Sequence, residues 1–383
     1  MTSDLRHERR AQGREQLAES VAAATRDALG APIDEPDGFT IVAVPPARAN
    51  PYQQMLYRNG LDHGIGVAYA LDFDELAGLR WPYPHAFHIH WTRPVTRDAT
   101  TTAEADARVD QVIDELDAAR RRGTKLVWTI HNVVPHECAH VEADLRLRAW
   151  LTDHADLIHI MGESTRDAVA DHYPLPESDR VVVVPHPSYV GVYPDHVSRR
   201  EARNDLDLDP DATVALLFGS LRGYKGVDLL VEALDHVEQD LTVVLAGDPI
   251  DWETRRELRT LASENPSLEL VDRRIATEDV QRFHRAADFA LLPYQGGLNS
   301  GAALLAMSFD LPVVGPDGGS FIETMADGRG ESFTPGDATS LAAAIGRAIE
   351  RPGARDAVRT FAQAVRAEVV SDQFFSAVRS TLA

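Results

Sequence analysis

Cysteine is almost absent: Cys138 is the one cysteine in 383 residues. No intramolecular disulfide can form, and a reducing compartment is expected. No apolar run approaches the ~18 residues of a membrane-spanning helix. The N-terminus lacks the apolar core of a secretory signal, so a cytoplasmic protein is expected. Positive charge is scarce. Lys and Arg number 38 against 60 Asp and Glu, a formal net charge of −22. Such a surface disfavours non-specific binding to nucleic acid phosphates. Short internal repeats and low-complexity tracts are missing too. What remains is a globular chain long enough for about two domains, with apolar content ample for two cores.

Residues 1 to about 30 carry Arg6, Arg9, Arg10 and Arg14, then Leu17, Val21 and Leu29. A helix is expected, ending at Gly30-Ala31-Pro32. Its apolar face is thin, which predicts a solvated or frayed helix, with the arginines as a weak peripheral contact for anionic lipid. Apolar runs follow at Phe39–Pro45, Ile65–Leu71, Ala86–Trp91, Lys125–Ile130, Leu157–Met161 and Arg180–Pro185. Helical patterns alternate with them at Val109–Arg121, Leu145–Asp153 and Ser164–His172, the last opened by a Ser/Thr cap. Ser188–Asp211 has no apolar run, so a domain joint is expected at about 190 to 200. A second alternating series occupies Val214–Phe218, Leu241–Ala246, Leu268–Val271, Phe289–Leu292 and Pro312–Val314. Helices are expected over Ser340–Arg351 and Ala354–Leu382. Strands alternating with helices predict βαβ units, mostly parallel sheets and an α/β class.

Residues 212–234 read ATVALLFGSLRGYKGVDLLVEAL. Val214 to Phe218 is expected as a strand buried on both faces. Gly219 opens a loop with three glycines and two cations, Arg222 and Lys225. From Gly226 on, Val227, Leu230, Val231 and Leu234 recur at helical spacing. A strand, a cationic glycine-rich loop and a helix start together favour an anion. Backbone N–H groups point out of the helix start, and glycine admits a phosphate closely. Arg222 offers a fork for phosphate oxygens and Lys225 a point charge. An ordinary βα turn with two solvated cations has the same composition.

FGSLRGYKGVDLLVEAL resembles the donor-phosphate segment of family 4 and related glycosyltransferases, where a strand, a glycine, an arginine and Lys-Gly lead into a helix. NPYQQMLY, HIHW and WTIHNVVPHE are similar to acceptor-side motifs of a bacterial branch of these enzymes, and VVPHPSY to the segment closing their first domain. The resemblance runs from about residue 39 to residue 383. It implies the GT-B fold, two Rossmann-like domains facing each other across a cleft. Residues 1–192 would hold the acceptor and 193–365 the nucleotide sugar, with the helix 366–383 packing back on the first domain.

On the donor side the resemblance implies Gly219, Arg222, Lys225 and His186, with Glu323 on the ribose. GGLNSGAALLAM is a glycine-rich turn into a helix. Its N–H groups near Ser300, Gly301 and Ala302, with Asn299 beside them, would cradle a diphosphate; the plainer reading is a helix capped by Asn299 or Ser300. On the acceptor side it implies Asn50, Tyr52, His90 and Trp91. One departure stands out: the family's paired glutamates fall here on Gly297 and Leu305. That leaves the donor sugar open more than the reaction class.

Glycosyl transfer needs a stabilised leaving diphosphate and a deprotonated acceptor hydroxyl. The cations and two helix starts would serve the first need, with neither metal nor cofactor. His131 is the first choice for the second, at the C-terminal end of its strand, where ligands gather in open α/β sheets. In a retaining reaction it would position the sugar instead. Glu137 is the candidate base if configuration inverts. The expected function is transfer from a nucleotide sugar, GDP-mannose or a UDP-sugar, to a glycan or lipid-linked acceptor in polysaccharide synthesis. A non-catalytic sugar-binding protein is the alternative, and the missing glutamates are its argument. His136-Glu137-Cys138-Ala139-His140 matches a zinc-protease pattern, but Pro135 puts the first histidine at a helix start and no third ligand follows. Asp72-Phe73-Asp74 reads as a solvated acidic loop, and His88 and His90 as groups on one strand face without a third metal ligand.

Overall fold

A computed structural model describes residues 2–31, 33, 37–47, 50–134, 138–222, 225–294, 298, 300–350 and 355–382. The chain divides into two compact units, Met1–Pro185 with Ala367–Ala383, and His186–Arg366. No helix among the described residues is long and apolar enough to cross a membrane.

The first unit is built on six parallel strands: β1 (Phe39–Val44), β2 (Ile65–Tyr69), β3 (His85–Ile89), β4 (Lys125–Thr129), β5 (Leu157–Ile160) and β6 (Val181–Val183). They lie in the order β2-β1-β3-β4-β5-β6. β1, β3 and β5 are buried along their whole length, as apolar runs covered on both faces must be. Strand order reverses between β1 and β3, which opens a crevice at their C-terminal ends.

The N-terminal helix Thr2–Leu29 is docked rather than solvated. Leu17, Val21, Ala24 and Ala28 are buried, a stripe at i, i+4, i+7 and i+11. A thin alanine-rich face is what this contact needs. A Cβ on Gly66 of β2 would lie 2.0 Å from the Ala24 carbonyl oxygen, so helix and strand backbones nearly touch. The Thr25 and Thr40 hydroxyls are 2.9 Å apart at the same contact. The side chains of Arg6, Arg9 and Arg10 lie outside the described residues. The helix over Ser164–Val169 also differs from expectation: Glu163 occupies its N-cap, with no side-chain cap.

The expected single helix over Ala354–Leu382 is two, Arg355–Ala364 and Ala367–Leu382. The break has a cause: the Val365 carbonyl accepts from the Ser188 amide at 2.7 Å, and the Ser188 hydroxyl donates to the Ala362 carbonyl. These bonds draw residues 186–192 into the second unit. Helix Ala367–Leu382 belongs to the first, where the Ser371 hydroxyl donates to the Leu56 carbonyl at 2.8 Å.

The second unit has strands β7 (Val214–Phe218), β8 (Thr242–Ala246), β9 (Leu268–Val271), β10 (Phe289–Leu291), β11 (Val313–Pro316) and β12 (Gly330–Phe333). Their order is β12-β11-β10-β7-β8-β9, all parallel. Read from β9, this is the doubly wound Rossmann order, with the reversal between β7 and β10. β12, sequence GESF, has no apolar run and is not legible from the sequence. It is an edge strand held by its pairing to β11.

Candidate active site

In the second unit the loop after β7 leaves the sheet at the reversal point. Gly219 has φ 108°, and its amide donates to the Ala246 carbonyl at 2.9 Å. A Cβ on Gly247, φ 159°, would lie 1.8 Å from the Gly219 oxygen, so glycine is required where the two loops cross. Lys225 is buried, 6% exposed, with Nζ donating to the Phe218 carbonyl at 3.1 Å and lying 5.7 Å from the Tyr294 ring centroid. Burial, reinforced by the Arg222 guanidinium, pushes its ammonium from 10.5 down to about 8. An ammonium buried beside a guanidinium is destabilised, and a nearby anion would relieve it. Arg222 is half-buried, with Nε 3.4 Å from the Ser220 hydroxyl. Helix Val227–Leu234 starts at Gly226, φ 70°, with no side-chain cap on its first amides.

The second helix start follows β10. Ser300 caps Gly301–Met307, its hydroxyl oxygen accepting from the Ala303 amide at 3.2 Å. Asn299 lies outside the described residues. A Cβ on Gly301 would meet the Tyr189 hydroxyl at 2.9 Å and His186 Nε2 at 3.7 Å. His186 and Gly301 are therefore neighbours, and Tyr189, missed in the sequence, joins them. His186 Nδ1 donates to the Pro187 carbonyl at 2.7 Å, and burial pushes the imidazole down to about 4. A neutral ring with its proton on Nδ1 presents Nε2 as an acceptor. Ala302 is half-buried in the first turn of the same helix. Glu323 is exposed on helix Ser320–Met325, whose first amide donates to the Leu298 carbonyl at 3.1 Å. That bond ties the two helix starts together.

In the first unit Tyr52, His90, Trp91 and His131 converge after β3 and β4. Trp91 stacks on His131 with ring centroids 4.5 Å apart. Tyr52 meets His131 edge-on at 5.0 Å. His131 Nε2 is 3.1 Å from His90 Nδ1. Asn50 acts locally: its Oδ1 accepts from the Tyr52 amide at 3.0 Å and starts the helix Tyr52–Leu56. The loop after His131 is pinned by buried Arg148, whose guanidinium donates to the Asn132 carbonyl at 2.7 Å and to Asn132 Oδ1 at 2.9 Å. The sequence gives no signal for that anchor beyond one arginine in a helix. Glu137 and His136 lie outside the described residues. His140 precedes helix Val141–His154 and donates from Nε2 to the Ala99 carbonyl.

At the same edge a cavity of about 960 Å³ opens, lined by Pro45, Leu71, Asp72, Asp98, Glu104 and Arg108 among others. It sits beyond β1, β2 and β3, at the reversal point. Asp72 and Asp74 are structural in part: Asp72 caps the helix Phe73–Ala77, and Asp74 pairs with Arg108 at 2.7 Å. Among the described residues no group of three His, Cys, Asp or Glu side chains is placed to hold a metal ion.

Comparison with known proteins bears on the fold and on the second unit. Residues 212–351 match the family model described as glycosyl transferases group 1. With two parallel Rossmann-like sheets the chain has the GT-B fold, and its second unit carries a glycosyl transferases group 1 domain, an enzyme domain. Among curated relatives it is similar to the GDP-mannose:glycolipid 4-beta-D-mannosyltransferase of Xanthomonas campestris pv. campestris, 26% identical over 71% of each chain. It is also similar to D-inositol 3-phosphate glycosyltransferase 2 of Catenulispora acidiphila, 27% identical over 40% of this chain and 39% of that one. Sucrose-phosphate synthase from Thermosynechococcus elongatus shares the fold with TM-score 0.70 at 16% identity, covering 89% of this chain and 98% of that one. HepE from Anabaena, solved with UDP and glucose, does so with TM-score 0.65 at 15% identity, covering 89% and 99%.

Proposed function

We propose that this enzyme moves a hexose from a nucleoside diphosphate sugar to a glycan or lipid-linked acceptor, without a divalent metal. The buried Lys225 beside Arg222 carries this reading. Their charges, held at the Rossmann reversal point next to two helix starts, match a departing diphosphate. GDP-mannose is the first donor to test, because the relative from Xanthomonas uses it by name on a glycolipid. A β-linked product from an α-linked nucleotide sugar is made with inversion, and inversion needs a base on the acceptor hydroxyl. His131 supplies that base, with Glu137 its rival. The polar cavity of the first unit, lined by Asp72, Asp98, Glu104 and Arg108, suits a hydroxyl-rich acceptor.

Thermal-shift screening against GDP-, UDP- and ADP-sugars decides the donor, since a ligand bound only by the folded chain raises Tm. A shift with GDP-mannose is expected, and transfer should survive EDTA. Loss of transfer with EDTA, restored by a divalent ion, would end the metal-free reading.

Donor affinity should also depend on pH. A bound diphosphate restores the Lys225 charge, so binding takes up a proton above pH 8. Below about pH 7 the lysine is already protonated and affinity should be level. Above its free value of about 8, Kd for the nucleoside diphosphate should rise, approaching tenfold per pH unit until the bound-state value is reached. Calorimetric titration with GDP from pH 6.5 to 9.5 reads this directly; a level Kd across pH 8 would count against Lys225 as a diphosphate ligand.

A further inference from the structure

Beneath His131 a file of hydrogen-bonded polar groups crosses the sheet, entirely within the first unit. His159 Nε2 lies 2.8 Å from the Val184 carbonyl oxygen. His159 Nδ1 is 3.0 Å from the Thr129 hydroxyl, which is 2.7 Å from His88 Nε2. His88 Nδ1 is 2.6 Å from the Tyr57 hydroxyl, which is 2.6 Å from His90 Nε2. His90 Nδ1 then meets His131 Nε2 at 3.1 Å. His159, Thr129 and His88 are fully buried, and Tyr57 and His90 nearly so. Phe374 stacks on His88 at 5.3 Å and lies 5.4 Å from His159. Thr129 and His159 face each other across β4 and β5, so the backbone itself holds that link.

A carbonyl only accepts, which sets the direction of every bond in the file. His159 must donate from Nε2 to Val184, so in a neutral ring its Nδ1 accepts from Thr129. Thr129 has one proton and has spent it, so it accepts from His88 Nε2. His88 Nδ1 then accepts the one proton of Tyr57. Tyr57 accepts in turn from His90 Nε2, and His90 Nδ1 accepts from His131 Nε2. Burial, aided by the neighbouring imidazoles, holds His88 and His90 well below the usual histidine range, and burial holds Tyr57 well above the usual phenol range. Their neutral forms are those this bookkeeping requires.

We propose that the Val184 carbonyl, acting through His159, Thr129, His88, Tyr57 and His90, locks His131 in the Nε2–H tautomer and so makes Nδ1 its reactive nitrogen. The five intervening groups are positioning residues. The proposal rests on the reading of His131 as the base of the transfer. In that reaction the acceptor O–H bond breaks, the proton passes to Nδ1, the oxygen bonds to the sugar carbon and the nucleoside diphosphate leaves. The proton stays on His131 until it is released, because a file that ends on a carbonyl has no group to receive it at the far end. The file therefore orients and does not export charge, as a buried carboxylate does for the histidine of a serine protease.

The test is histidine side-chain nitrogen NMR on the deuterated, 15N-labelled full chain, with His131→Gln to assign the His131 signals. The wild type should show His131 protonated at Nε2 and unprotonated at Nδ1. Thr129→Val, far from His131 along the file, should leave His88, His90 and His131 as tautomer mixtures. It should also lower kcat roughly tenfold at unchanged donor KM, a fraction of the worth of a positioned base. Thr129→Ser should restore both. If Thr129→Val does not fold, Tyr57→Phe is read in the same way. A wild-type His131 protonated at Nδ1 instead, or tautomers unmoved when the file is cut, overturns the lock. Full transfer by His131→Gln would overturn the base reading and the catalytic part of this proposal, while the spectrum still judges the lock on its own.

Discussion

Replacing His131 by alanine is expected to lower kcat by roughly 10²–10⁴, the contribution of a positioned general base. Nucleotide binding should survive, because Lys225, Arg222 and the Ser300 helix start belong to the other unit. The effect should be large because the ring is held on three sides. Trp91 stacks on it, Tyr52 meets its edge, and His90 takes its Nε2. Alanine would remove the proposed base and the ring on which Trp91 and Tyr52 pack. The comparison is single-turnover rate against nucleoside diphosphate Kd. Turnover at the wild-type rate would show that another group, Glu137 first, takes the proton.

Lys225→Ala or Arg222→Ala should lower kcat/KM at least about a hundredfold, the size found for losing a group that stabilises developing negative charge. Lys225 carries the clearer argument. Its charge is already costly in the free enzyme, as the fall to about 8 records, and a diphosphate offsets that cost. Full charge appears on the leaving group only as the glycosidic bond breaks, so kcat should fall along with donor affinity. Lys225→Arg is a poor substitute, because the Nζ pocket between the Phe218 carbonyl and the Tyr294 ring is cut for an ammonium. Losses below threefold in both alanine variants would remove these residues from the donor site.

Much of this was legible before any coordinates. Eleven of the twelve strands are apolar runs, and runs of that kind belong in parallel sheets buried on both faces. β12 escaped because an edge strand needs pairing, not hydrophobicity. The docked N-terminal helix departs from expectation because half of its buried stripe is alanine, and only the Gly66 backbone beneath it shows that a thin face packs closely. Ser164 was read as a cap for a helix that places Glu163 there. The loop FGSLRGYKG stands out in composition as glycines and cations ahead of an apolar helical stripe, a pattern that an ordinary βα turn shares. That Lys225 is buried, and therefore shifted, could not be read there: Tyr294 lies far along the chain and meets it only in the fold.

The order of residues along the chain determined the α/β class, the place of the glycine-rich loop after β7 and the position of His131 at the end of β4, because each is a local pattern that short-range geometry enforces. Only the tertiary structure decided which strand lies beside which, and therefore where the two reversal points fall. It also joined Tyr57, His88, Thr129 and His159, scattered over about a hundred residues, into one file beneath His131. Hydrogen bonds between distant strands have no period to read, since they exist only once the sheet has brought their donors and acceptors within reach.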